Sequence, residues 1–100
     1  MQQFRLDSYV VDVLLRDLVG HEHSPAAFLV YLFLWRSVAG QRRKFARVSH
    51  NQIARETGLS KSAVQRALRV LRRRALVQSE RLHDTDTPRH TVQKPWIRRN

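Results

Sequence analysis

Apolar residues at Leu6, Tyr9, Val10, Val13, Leu14 and Leu18 recur at intervals of three and four, the rhythm of a helix with one face against a core. Asp7, Asp12, Arg16 and Asp17 fall on the other side, and Gly20 marks a stop, because glycine accepts the left-handed conformation that closes a helix. The pattern predicts a helix over residues 7–19. A second start follows at Ser24-Pro25, where serine caps free amides and proline at the first helical position loses no hydrogen bond. Residues 26–35 are then apolar on every side, so this helix must be covered from more than one direction and is expected at the centre of the domain. Gly40 ends it, Gln41-Arg42-Arg43-Lys44 reads as a charged connector, and residues 45–48 suit a brief strand.

The next start signal is a capping box, Ser49-His50-Asn51-Gln52, in which the Ser49 side chain meets the amide of Gln52 while Gln52 reaches back. It predicts a helix over residues 50–57, broken by Gly58-Leu59-Ser60. Ser60 caps a further helix over residues 61–74, with Val64, Ala67, Leu68 and Leu71 as its apolar stripe. Its other side carries Lys61, Ser62, Gln65, Arg66, Arg69, Arg72 and Arg73. Residues 76–83 and 89–97 read as two strands joined by the turn Asp84-Thr85-Asp86-Thr87-Pro88, a hairpin. No internal repeat or low-complexity tract interrupts the chain.

Two short helices joined by a glycine-containing turn, the second with a basic face, form a helix-turn-helix pattern. Three positions make independent demands: Ala54 lets the helices approach, Gly58 takes the turn conformation that a Cβ resists, and Val64 packs the second helix onto the first among Ile53, Leu59 and Leu68. With Ser24-Pro25-Ala26-Ala27-Phe28 before them and the hairpin after, residues 24–97 resemble the winged helix-turn-helix family. The resemblance implies a mainly α fold with a small β-hairpin, in which residues 1–23 form an added N-terminal helical extension and residues 24–100 the DNA-binding domain. In related regulator groups such an extension builds a dimer; here it is expected to cover the core helix and to add some dimer contact.

Composition sharpens the choice of partner. The 100 residues suit a single domain, and 42% apolar residues are enough for a small core. The formal net charge is +11, which favours polyanions. It is unevenly placed: residues 1–40 hold three basic and four acidic side chains, residues 41–100 sixteen and four. Arginine outnumbers lysine 16 to 3, and its planar fork suits phosphate oxygens and guanine edges. Without cysteine there is neither a disulfide framework nor a thiolate zinc site. The start lacks the charged and apolar segments of a secretory signal, and the apolar run of residues 26–35 is too short to span a bilayer. A cytoplasmic, nucleoid-associated protein without membrane contact is expected.

By the resemblance the second helix enters the major groove, which shows a distinct donor and acceptor pattern for each base pair. Base reading is assigned to Lys61, Ser62, Gln65 and Arg66, with Arg69 reading a guanine or gripping a phosphate. Backbone contacts are assigned to Ser49, Asn51, Arg72, Arg73 and the connector Arg42, Arg43 and Lys44. Arg89 resembles the wing arginine that enters the minor groove, and Arg98 and Arg99 extend that contact. The bland alternatives remain open: Arg72-Arg73-Arg74 also suits a solvated helix end, Arg89 a solvated turn residue, and Trp96 either an anchor for the last strand or a stacking surface. Trp35 is expected in the core.

His21-Glu22-His23 and the group His83, Asp84, Asp86 and His90 look like metal ligands, yet neither has a known zinc spacing. No metal, cofactor or small-molecule ligand is expected, and no catalytic constellation is visible. The leading expectation is a sequence-specific double-stranded DNA-binding transcriptional regulator, acting as a dimer. A replication-initiator module uses the same surface, and a winged domain for protein or RNA contacts is the reading from a different class.

Overall fold

The computed structural model describes residues 2–39 and 44–97. After the N-terminal helix, residues 8–21, come α1 (Pro25–Ala39), β1 (Ala46–Arg47), α2 (His50–Thr57), α3 (Lys61–Arg73), β2 (Val77–Glu80) and β3 (Arg89–Val92). The strands form an antiparallel sheet in the order β1-β3-β2. Val77 faces Val92 and Glu80 faces Arg89 across one ladder, and Ala46 faces His90 across the other. The result is mainly helical with a small sheet, the architecture of a winged helix-turn-helix.

The capping chemistry appears where the side chains demand it. Ser49 Oγ accepts from the amide of Gln52 at 3.1 Å, and Ser60 Oγ from that of Ala63 at 3.1 Å. Among the described residues the return bond from Gln52 is not formed. Gly58 closes α2 at φ 79°, where a side chain costs roughly 1–2 kcal/mol, and its amide donates to the Ala54 carbonyl. Val64 is fully buried beside Ile53, Ala67, Leu68 and Leu71, so α3 is fastened along one side only. Helix α1 lies at the centre, with Ala27, Val30, Tyr31, Leu34 and Trp35 buried. The Tyr31 hydroxyl donates to the Gln93 carbonyl at 2.9 Å, and burial holds its pKa above the ordinary phenol range.

Several boundaries depart from the sequence pattern. The N-terminal helix is wound in π-type turns over Val10–Leu14 and Asp17–His21, and it runs through Gly20. The reversal falls on His23 instead, at φ 56°, where the Ser24 amide reaches back to the Leu18 carbonyl at 2.8 Å. Hydrogen bonding decides this point, since a short polar loop lets a non-glycine residue absorb the left-handed angle. Within this helix Val10, Leu14 and Leu18 are buried, a spacing of four, whereas Tyr9 and Val13 of the expected stripe are over a third exposed. Both strands are shorter than expected, because the ladder ends at Glu80 opposite Arg89 and residues 81–88 form one loop. Ala75, at φ 57°, takes the chain out of α3 into β2.

Trp96 anchors the end of the chain. Its ring stacks on Tyr9 at 4.5 Å and lies 6.3 Å from Trp35, while its Nε1 donates to Asp7 at 3.3 Å. Trp35 Nε1 donates to the Arg5 carbonyl at 2.7 Å. These contacts join the first residues, α1 and the last turn into one aromatic layer.

His90 is the buried polar residue of the sheet, and its ring is wired on both sides. Nε2 lies 3.3 Å from the Val48 carbonyl, which can only accept, so this nitrogen carries the proton. Nδ1 then accepts from Ser79 Oγ at 2.7 Å. Burial pushes the pKa down to about 4, with smaller contributions from His50, Arg72 and Arg81. The unfolded chain therefore binds a proton near pH 6.5 that the folded one refuses until about pH 4, and the stabilising effect of the neutral ring is lost as the pH falls through this interval. Urea titrations across it should show a loss on the order of 3 kcal/mol by its acid end. A flat profile would show that the ring is not held neutral.

Candidate nucleic-acid interface

Helix α3 presents its polar side to solvent because the four apolar positions are spent on the core. Lys61, Ser62, Arg66 and Arg69 are exposed, and Gln65 is half-buried at the edge of the stripe. Among the described residues no carboxylate stands within ion-pair distance of Lys61, Arg66 or Arg69. Ser62 Oγ lies 3.3 Å from Ser60 Oγ, tying the first turn to its cap.

Ser49 is half-buried and Asn51 exposed at the start of α2, beside the start of α3. Arg72 is exposed and reaches Ser79 on β2 at 3.5 Å. Lys44 is exposed before β1. Arg42, Arg43, Arg98 and Arg99 lie outside the described residues.

Two of the expected contacts are otherwise engaged. The Arg73 guanidinium donates to Glu22 at 3.0 Å, pointing to the rear of the domain although it stays largely exposed. Arg89 sits in β3 rather than at the wing tip, with its guanidinium 5.1 Å from the centre of the Phe45 ring and 3.7 Å from Glu80. The register explains this, since the ladder begins at Arg89 and its side chain is drawn over the sheet. Arg74 is bound more closely still. It bonds Asp17 and also donates to Glu22 at 3.2 Å, and the bond to Asp17 holds it firmly protonated. Arg73, and after it Arg74, hold the Glu22 carboxyl below the usual range.

Two basic groups outside the expected set, His50 and Arg81, gather beside the expected Lys61. His50, Lys61 and Arg81 line one groove with Asn51 and Asp86, between the starts of α2 and α3 and the loop of residues 81–88. Arg81 donates to the Asp84 carbonyl at 3.1 Å and leaves its charge without a carboxylate among the described residues. Burial, followed by Arg81, Arg72 and Lys61, depresses the His50 pKa. Arg81 follows a strand in the sequence, where a lone arginine has no motif to mark it. Arg47 is exposed on β1 opposite Arg89.

A family model described as a helix-turn-helix domain matches residues 24–77, more than half of the chain. The chain belongs to this helix-turn-helix family. The matched residues run from the cap of α1 through α2 and α3 to the first residue of β2, so the match includes the two-helix unit and its basic face. DNA is the partner to which a helix-turn-helix domain points, and the family is typically non-enzymatic. No curated protein and no solved structure matches the chain. Among the described residues of this helix-turn-helix protein, no three metal-ligating side chains converge. No helix among them is long and apolar enough to cross a membrane.

The rear arginines give this helix-turn-helix protein a directional test. Arg74→Met removes a half-buried clamp on the N-terminal helix, while Arg73→Met removes a single exposed pair, and exposed pairs are worth little. Urea unfolding should therefore place the midpoint of Arg74→Met well below that of Arg73→Met. Equal midpoints would show that the clamp is not fastening the helix.

Proposed function

We propose that this helix-turn-helix protein is a sequence-specific double-stranded DNA-binding protein that acts as a transcriptional regulator. The exposed basic face of α3 carries this reading: Lys61, Arg66 and Arg69 have no ion-pair partner among the described residues, and a duplex supplies one. With α3 in the major groove, Lys61, Ser62, Gln65 and Arg66 read base edges. Arg69 takes a guanine or a phosphate. Ser49, Asn51, Lys44 and Arg72 position the backbone, joined by Arg81 at the wing loop. Arg89 serves the sheet, and its place at the wing is taken by Arg81. This division assigns residues 24–100 to the DNA-binding domain and residues 1–23 to an extension that is part of its packing.

Arg66→Ala should relax the preference at one base position and cost roughly 1–3 kcal/mol of specific binding. The loss of affinity for mixed-sequence DNA should be smaller. Arg72→Ala should weaken all sequences alike and flatten the fall of affinity with salt, because one fewer condensed counterion is released. Competition binding against duplexes selected from a random pool distinguishes the two. If Arg66→Ala leaves binding to the selected site unchanged, α3 is not the reading helix.

The protein forms a two-fold dimer through the outer side of the N-terminal helix in this reading. Val11, Leu15 and Val19 are each more than a third exposed, at a spacing of four along that helix. Asp12 and Arg16 flank them with opposite charges. In an antiparallel pairing about a two-fold axis, Asp12 of one copy approaches Arg16 of the partner subunit, so the face complements itself. Leu15→Glu should convert a dimer to a monomer in sedimentation without unfolding it, since Leu15 is outside the core. A wild-type chain that sediments as a monomer would remove the dimer from the proposal.

A further inference from the structure

Resting on the DNA-binding reading, we propose that the groove between α2, α3 and the wing loop is a phosphate seat whose occupation draws a proton onto His50, so that duplex binding strengthens on acidification. The groove is open and about 240 Å³ in volume. Its polar lining comes from three separate elements: His50 and Asn51 at the start of α2, Lys61 at the start of α3, and Arg81 with the carboxylate Asp86 on the loop between the strands, so cations outnumber acids. Asn51 offers a neutral donor, while Lys61 and Arg81 bring two charges that no carboxylate pairs with among the described residues. Such a set matches one backbone phosphate, a sequence-independent contact that moves Lys61 from base reading to the backbone.

His50 is the group in this groove whose charge can change near neutrality. It faces Lys61 and Arg72 from α3, Arg81 and Asp86 from the wing loop, and His90 from β3. Asp86 is the one carboxylate in that set, and it already accepts the amide of His83 at 3.1 Å. With an empty groove, burial and the three cations oppose protonation of the imidazole. A phosphate between His50, Lys61 and Arg81 reverses the balance by placing a negative charge beside the ring and screening it from its cationic neighbours. The sign then follows: a group whose pKa rises on binding takes up a proton, and binding is favoured on the acid side of the interval between its two values. His90 titrates near pH 4, well away from this interval.

The test uses the full chain and a mixed-sequence duplex, because phosphate contacts do not depend on sequence. Affinity measured at constant ionic strength should rise about twofold to fivefold between about pH 8 and about pH 6, the partial gain expected when proton uptake is incomplete at the acid end. Calorimetry in two buffers of different ionisation enthalpy should register proton uptake. His50→Gln should flatten the pH slope and remove the uptake, and His83→Gln should retain both. Absence of proton uptake by the folded wild-type chain, or a slope that survives in His50→Gln, overturns the inference while leaving DNA binding in place. A wild-type chain that binds no duplex at any pH overturns the DNA-binding reading, and this inference falls with it. The wild-type calorimetry decides the matter even if a variant fails to fold.

Discussion

The attachment of α3 along one stripe governs what the rest of the molecule can present. Val64, Ala67, Leu68 and Leu71 have essentially no solvent exposure, and burying each of the larger ones is worth roughly 1.5–3 kcal/mol. This burial fixes the rotation of the helix about its axis. Once that rotation is set, Lys61, Arg66 and Arg69 must point away from the core, whatever their own preferences. The turn enforces the same outcome from the other end: Gly58 at φ 79° directs the chain so that Ser60 can cap α3 while Val64 reaches the core. A helix rolled by one residue would bury a guanidinium, at a cost far above the gain from any apolar contact. The basic face is thus a consequence of core packing before it is a binding surface.

The arginines divide according to whether the fold supplies them with an acid. Arg74 and Arg73 reach back to Asp17 and Glu22, and Arg89 lies over Phe45 beside Glu80. These are uses internal to the fold, and they account for why a run of three arginines after Leu71 does not form a continuous contact surface. Arg66, Arg69 and Arg81 are left without acids among the described residues. An arginine count made on sequence adds all of these together, although those held by an acid add less to the outward field.

Much of the helical plan was legible because its signals are local. Ser49 and Ser60 cap the helices they precede, Gly58 turns the chain, and the apolar stripe of α3 is the buried one. Each depends on residues within one or two turns of each other. The departures lie where a longer backbone bond or a distant part of the chain decides. Gly20 has the chemistry of a helix stop, but the N-terminal helix continues through it and turns at His23, because bonds to Leu18 and Asp17 carbonyls settle where the winding ends. Tyr9 fell in the expected inward stripe, yet Trp96, far along the chain, gives it a stacking partner near the surface. The burial of His90 has no local signal either, since only the pairing of β1 with β3 brings Val48 against its ring. For the same reason Arg81 and His50 could not be grouped in advance: the groove they share exists only after the wing has folded back toward α2.

The charge asymmetry of the chain has a geometric meaning that its sum conceals. Asp17 and Glu22 come from the nearly neutral N-terminal part and meet α3 at its C-terminal end, where the helix dipole is negative and arginines are already favoured. They neutralise the cations there and fasten the extension to the domain in the same contacts. At the opposite end, where the dipole is positive, no carboxylate among the described residues pairs with Lys61, and Arg81 is added from the wing, with Asp86 as the acid lining the same groove. Both features push the positive field toward the start of α3. An anion approaching the molecule is therefore drawn first to the start of α3, rather than to its more arginine-rich end. The N-terminal extension shapes the field in this way: it discharges the rear of the helix, so that the remaining charge has a direction.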